Sequence, residues 1–445
     1  MPEKMCKKKH LTSFQLIILG FAGVILLGAI ILMLPVSSAE GVMTPFNQTL
    51  FTSTSAVCVT GLAVLDTGSY WSVFGQVVIL LLIQIGGLGV VTVAVSVFML
   101  SGRKISLMQR STMQNAISAH KVGGIVRLTK FILKGTLFVE MAGALALLPV
   151  FYHDFGRKGI WMAVFHSISA FCNAGFDILG TPTNPFPSIT AYAGNPIVNV
   201  VIMFLIIAGG IGFLTWEDIC INKIHFRKYH MQSKIILVTT AFLIVLPAIF
   251  FFFSDFTYLS VGKRLLASAF QAVTPRTAGF NTMDISKMTE VSKAMIIILM
   301  LVGGSPSSTA GGMKTTTFAV LILNAFATFR SQENVETFGR RIECSVIKNA
   351  STIAMMYCML FLCGGITISV YEGLPLLECL YEAASAVGTV GLTLGITPKL
   401  HIVSQFILII LMYLGRVGGL TLIYAVLSKK KKGNARLPLE KITVG

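Results

Sequence analysis

Apolar residues run nearly free of charge over about 20 positions or more at eight places, residues 13–36, 71–100, 129–151, 195–216, 233–253, 291–326, 346–370 and 402–427. A helix of that length crosses a hydrocarbon core roughly 30 Å thick, so the pattern predicts eight membrane spans. In alternate gaps lies a shorter segment, at 45–57, 159–171, 263–273 and 375–387. Such a helix is roughly 20 Å long, enough to enter the membrane and too short to cross it. Pro45 and Pro375 suit the first turn of their segments, where a missing N–H costs least. Phe51, Phe165 and Tyr381 each fall ten residues before a glycine that follows the segment.

Those glycines share a setting. Gly61 stands in Ser-Ala-Val-Cys-Val-Thr-Gly-Leu, Gly175 in Ser-Ala-Phe-Cys-Asn-Ala-Gly-Phe, Gly279 in Val-Thr-Pro-Arg-Thr-Ala-Gly-Phe and Gly391 in Ser-Ala-Val-Gly-Thr-Val-Gly-Leu. Successive spacings of 114, 104 and 112 residues describe one unit occurring four times. The expected divisions are 1–110, 111–230, 231–340 and 341–445. The expected fold is an all-α membrane protein of four parallel span–pore loop–span repeats around a central cation pore, with eight spans and four re-entrant helices. Short helices descending from outside would aim their partly negative carboxyl ends at the membrane centre, where they stabilise a dehydrated cation. Irregular backbone at that depth is tolerated where it lines a wet path, and glycine lets carbonyls turn to one side and replace an ion's hydration shell. The candidate filter is therefore Val59, Thr60, Gly61, Asn173, Ala174, Gly175, Thr277, Ala278, Gly279, Thr389, Val390 and Gly391, with K+ at the four glycines. The fourth repeat spells Thr-Val-Gly, the core of the potassium-channel filter sequence. A second glycine two residues on is absent, those places holding Ala63, Asp177, Asn281 and Thr393, so one glycine ring and a short filter are expected.

Composition agrees with the compartment. The chain is 54% hydrophobic and 12% charged, against about 25% charged in a soluble globule, and its mean hydropathy is +0.80. Lys4, Lys7, Lys8 and Lys9, then Arg103, Lys104, Arg110, Lys121 and Arg127, then Lys223, Arg227, Lys228 and Lys234, then Arg330, Arg340, Arg341 and Lys348, and finally Lys429 to Lys432 make every second gap basic. Both termini are thus expected in the cytosol of a plasma-membrane protein, although Lys263, Arg264, Arg276, Lys287 and Lys293 break the rule in the third repeat. The net charge of +17 is read as topology and attraction to anionic lipid; scattered over five loops without interleaved aromatics, it does not indicate nucleic acid. The eight cysteines include no Cys-x-x-Cys pair, and Cys58 and Cys172, three residues before their glycines, are read as small packing residues. The first run is too long for a signal peptide and is taken as retained.

The run at 291–326 is interrupted by glycine, small hydroxyls and a proline at 303–317, which cannot stay helical. A movable plug beneath the filter is expected there, with Gly303, Gly304, Ser305, Gly311, Gly312, Lys314 and Arg416 as gate candidates. A guanidinium deep in a span needs a polar partner or a wet cavity. Lys314 is expected to snorkel to the cytoplasmic edge, and Glu140 to be a packed, hydrogen-bonded carboxyl. The glycine pairs 86–87, 209–210, 303–304 and 418–419 are read as packing or hinge positions. Scattered histidines, His166 among them, do not make a catalytic cluster, so no enzyme is expected. The alternative is a secondary transporter of an organic solute, which calls for inverted repeats and a midplane pocket.

Together these features resemble the Trk, Ktr and plant HKT potassium transporter superfamily over nearly the whole chain, and within it the membrane subunit of Ktr-type systems, because the first unit starts without extra amino-terminal spans. The resemblance implies potassium uptake assisted by sodium, as a coupling or an activating ion. It implies a homodimer seated on a cytosolic nucleotide-binding ring of RCK-type subunits, with ATP or ADP on that partner and no cofactor in this chain. It gives the filter role to Gly61, Gly175, Gly279 and Gly391 and the gating role to the 303–317 loop and Arg416. Serine at the first position accompanies sodium preference in the family, so glycine at all four favours potassium. Pro275-Arg276 departs from the other repeats and would place a positive side chain near the mouth.

Overall fold

The computed structural model describes residues 12–100, 111–114 and 124–419. Along the chain, α1 (Ser13–Met33) leads to a short α2 (Phe46–Cys58), then α3 (Val73–Leu88) and α4 (Val90–Leu100). The same succession continues in α5 (Ile125–Phe155), α6 (Lys158–Phe171), α7 (Pro196–Gly210) and α8 (Phe213–Asn222), and in α9 (Met231–Ser254), α10 (Val261–Val273), α11 (Glu290–Leu301) and α12 (Thr315–Phe329). It ends in α13 (Cys344–Glu372), α14 (Leu376–Gly388) and α15 (Ile402–Val417). Among the described residues α1, α5, α9 and α13 are long and apolar enough to cross a membrane, and the bent pairs α3–α4 and α7–α8 pass the same test taken together. This is a mostly helical, multi-pass membrane protein.

Local chemistry sets the helix starts. Thr12 and Gln15 form a reciprocal capping box at α1, Ser72 accepts from the Gly75 amide at α3, and Asn195 caps α7 with Pro196 in the first turn. The polarity is a soluble protein's reversed, as the membrane requires. Leu27, Phe138, Phe242 and Met359 on the long helices are exposed, while Thr49, Thr52, Ser53, Thr54 and Ser55 of α2 are buried. The short helices occupy the centre, each packed on the long helix before it, with Phe51, Phe165, Phe270 and Tyr381 fully enclosed.

Three features depart from the expected elements. The runs at 71–100 and 195–216 are each bent by 99°. The breaks fall at Gly89 (φ +86°) and Gly212 (φ +90°), where only glycine takes the turn without strain. The helical fold also carries a small antiparallel ribbon, β1 (Glu336–Thr337) paired with β2 (Arg340–Arg341), turned at Phe338 and Gly339 with positive φ. Lys4, Cys6, Lys7, Lys8, Lys9, Arg103, Lys104, Arg110, Lys121 and Lys429 to Lys432 lie outside the described residues.

Candidate functional site: a glycine ring over an intramembrane loop

Each short helix ends by pinning the segment that follows it. The amides of Thr60, Ala174 and Val390 donate to Ser55 O, Ser169 O and Ser385 O, all at 2.8 Å. The same serines act through their hydroxyls: Ser55 Oγ accepts from the Gly61 amide at 3.1 Å, Ser385 Oγ from the Gly391 amide at 3.0 Å, and Ser169 Oγ donates to Phe176 O at 2.7 Å. These serines open the repeated octapeptide, and that position was the sequence signal for them. The third repeat has Val273 there. Its helix closes differently, with the Ala278 amide on Thr274 O at 3.0 Å and Thr274 Oγ1 donating to Phe280 O at 2.6 Å.

All twelve predicted filter residues lie in these four segments and are brought together. Gly61, Gly175, Gly279 and Gly391 have φ of +94°, +67°, +78° and +92°, and the residues two before them, Val59, Asn173, Thr277 and Thr389, are also left-handed at +58°, +59°, +64° and +52°. A left-handed non-glycine residue costs about 1–3 kcal/mol and persists where its surroundings over-determine it. The glycines close a ring. A Cβ built on Gly61 would stand less than 3.0 Å from Ala174 O, on Gly175 from Ala278 O, on Gly279 from Val390 O, and on Gly391 from Thr60 O. Each glycine thus faces the carbonyl that precedes the next one, in the order 61, 175, 279, 391 and back to 61. Thr60 Oγ1 and Thr389 Oγ1 are buried there without a hydrogen-bond partner among the described residues.

Residues 302–314 join α11 to α12 as a loop packed against the segment that leads into Gly391. The Gly303 amide donates to Met313 O at 2.8 Å, the Ser305 amide to Gly210 O at 2.9 Å and the Thr309 amide to Gly209 O at 3.2 Å. A Cβ on Gly311 would strike Thr389 Oγ1, and one on Gly312 would stand 2.8 Å from Gly388 O. Arg416, at the end of α15, ties three parts of the chain together: Nη1 donates to Thr309 O, and Nη2 donates to Gly86 O and, at 3.3 Å, to Gly87 O. A cavity of about 580 Å³ beneath the loop is lined by Arg416, Lys314, Phe21, Val91, Ile235 and Ile353 among others. The gate candidates are therefore assembled at one place. Lys314 corrects one expectation. It does not snorkel outward; its Nζ turns back to donate to Ala310 O at 2.8 Å and Gly311 O at 3.5 Å, because the broken helix leaves Ala310 O without a backbone donor and Gly311 O with only the long bond from the Gly304 amide.

Three of the glycine pairs hold a close-approach point, at Gly86, Gly209 and Gly303, whereas Gly418 has open space and the fourth repeat makes its close approach at Gly415 instead. A Cβ on Gly86, Gly209 or Gly415 would strike the carbonyl of Val57, Phe171 or Val387, at the ends of the short helices. Arg276 does not stand free at the mouth, being only 5% exposed. Glu140 is packed as expected: Oε2 accepts from Gln84 Nε2 at 3.3 Å, and its backbone oxygen accepts from Ser167 Oγ at 2.6 Å. His166 is buried, with Nδ1 2.8 Å from Met162 O and its ring against Phe151. Glu382 had no expectation attached. It is fully buried on α14 and accepts from Thr393 Oγ1 at 2.5 Å, the Leu394 amide at 3.2 Å and Thr397 Oγ1 at 2.7 Å, anchoring the chain just after Gly391.

A family model described as TrkH, cation transport protein, matches residues 9–434. The chain is 38% identical to the potassium/sodium uptake protein NtpJ of Enterococcus hirae, with 98% of each chain covered. It is 37% identical to the Ktr system potassium uptake protein B of Bacillus subtilis, covering 100% of this chain and 99% of the relative. In structure it is similar to the potassium transporter TrkH from Vibrio parahaemolyticus, with a TM-score of 0.74 at 17% identity over 96% of this chain and 86% of the other.

Proposed function

The chain belongs to the TrkH family of cation transport proteins, transporters and not enzymes, and from that premise we propose that it is the ion-translocating membrane subunit of a Ktr-like potassium uptake system. The observation that carries this reading is the closed ring of four glycines, each against the carbonyl preceding the next. Backbone oxygens arranged around one axis replace the hydration shell of a bare cation. Potassium is the substrate, held at Gly61, Gly175, Gly279 and Gly391 with the two residues before each. The buried hydroxyls of Thr60 and Thr389 fit a cation site better than a dry core does, since an unpartnered buried hydroxyl is costly. Backbones this close leave no room for an organic solute on the same axis.

In this reading the ring is the centre of four parallel units, 1–110, 111–230, 231–340 and 341–445, with eight spans and both termini in the cytosol of a plasma-membrane protein. The segment expected at 303–317 is helical from Thr315 onward, so the loop at 303–314 is the gate, held shut under the ring by Arg416, and Lys314 adds a second positive charge on the exit side. Sodium couples or activates uptake. The protein acts as a homodimer on a cytosolic RCK-type ring, which carries the nucleotide, and its basic loops face that ring and anionic lipid.

The test is rubidium uptake by cells lacking their own potassium transporters, with and without a co-expressed RCK-type subunit. Uptake without any organic solute, together with co-elution of the two proteins in mild detergent, supports the reading; a chain that elutes alone and moves no rubidium contradicts it. Glu140 gives a narrower prediction. Because its carboxyl is fixed by two donors, Gln84 Nε2 and Cys172 Sγ, Glu140→Gln is expected to keep the sodium dependence of uptake at native size. Loss of that dependence would place Glu140 in ion coupling.

A further inference from the structure

The loop and the ring are joined by side chains. Thr309 is fully buried in the loop, and its Oγ1 lies 3.1 Å from Phe171 O and 3.3 Å from Asn173 Oδ1. Asn173 then reaches into the third repeat: its Nδ2 donates to Arg276 O at 3.2 Å and to Thr277 Oγ1 at 3.4 Å. The amide orientation follows from the partners, because Arg276 O can only accept, which leaves Oδ1 to face the Thr309 hydroxyl. Gly209 makes the space where these groups meet. A Cβ there would stand 2.7 Å from Asn173 Oδ1 and 2.9 Å from Thr309 Oγ1.

Asn173 holds the left-handed place two residues before its glycine, and the corresponding residues are Val59, Thr277 and Thr389. Valine offers no hydrogen bond, and threonine has a single short hydroxyl. The second repeat alone therefore has a side chain that offers a separate donor and acceptor from one amide. The Thr309 carbonyl is also the one Arg416 holds, so the residue latched by the arginine is the residue that touches the filter segment.

We propose that Asn173 is a positioning residue for ion specificity, joining the second and third filter segments in a geometry that depends on Thr309, so that selectivity follows the state of the loop. When the loop leaves, Asn173 Oδ1 and Phe171 O lose their donor. The amide is then free to rotate away from Arg276 O, and the two segments move apart independently. This rests on the filter-and-gate reading above.

The test measures rubidium and sodium uptake at matched membrane amounts for the intact chain, Thr309→Val, Thr309→Ser, Asn173→Ala, the Thr309→Val/Asn173→Ala double variant, and Gly279→Ser. Thr309→Val, nearly isosteric and outside the ring, is expected to lower the rubidium-to-sodium ratio about 2- to 10-fold, the range for one hydrogen bond. Thr309→Ser, which keeps the hydroxyl, is expected to lie closer to the intact chain than valine does. The double variant is expected to be no worse than the more affected single one, because both changes break one bridge. If Thr309→Val raises flux but leaves the ratio unchanged while Gly279→Ser shifts it, or if the two single effects add, the coupling is wrong. If Gly279→Ser also leaves the ratio unchanged, the filter reading itself fails.

Discussion

Gly391→Ala is expected to reduce potassium uptake about tenfold or more without preventing the protein from reaching the membrane. Two effects add at this position. The backbone is left-handed at φ +92°, which costs a residue with a Cβ about 1–3 kcal/mol, and tenfold corresponds to about 1.4 kcal/mol. The new methyl would also strike Thr60 O and approach the Gly61 Cα at 3.0 Å. Those are backbone atoms fixed by Ser55, so the collision cannot be relieved by rotating a side chain. It falls on the carbonyl proposed to bind the ion. Alanine at Gly41 or Gly373 is the proper control, because both have positive φ but open space around them; uptake there should change little. Equal losses at the ring and at these controls would mean that backbone strain alone explains the result.

Removal of residues 306–310 is expected to raise potassium flux about tenfold or more, and Arg416→Ala to act in the same direction with smaller size. The loop is held by backbone bonds to Gly209 and Gly210 and by the Arg416 guanidinium. A hydrogen bond to a charged group is worth about 1.5–3 kcal/mol, so at the lower end of that range losing the arginine moves the open fraction up to about tenfold, and the deletion, which also removes the Thr309 amide bond to Gly209 O, moves it further. The same substitution also removes a positive charge from the exit cavity. Flux through proteoliposomes reads both effects. Unchanged or lower flux in a folded deletion variant would make the segment a rigid kink.

The site was legible in the chain to an unusual depth, for a physical reason. The short helices were bounded within two residues because a proline or charge change marks their start and the repeated octapeptide their end; 263–273 became Val261–Val273, and 159–171 became Lys158–Phe171. Ring membership followed from the repeat alone. The bends at Gly89 and Gly212 were hidden, since apolar runs on both sides satisfy the membrane whether the axis is straight or turned. Glu382 escaped notice because a carboxylate on a short helix reads as exposed until its three donors, from residues 393–397, are seen around it. The Asn173 bridge was invisible for a related reason. Its partners lie 104 and 136 residues away, and no local pattern records such a distance.

The central claim is that one cation sits on the axis of the four glycines. Crystals of the purified protein grown in rubidium, with diffraction collected at the rubidium absorption edge, test it directly. The account predicts an anomalous peak on the ring axis between the oxygens of Thr60, Ala174, Ala278 and Val390, lost when sodium replaces rubidium. A protein that transports rubidium yet shows its peak elsewhere, with nothing at the ring, would contradict it.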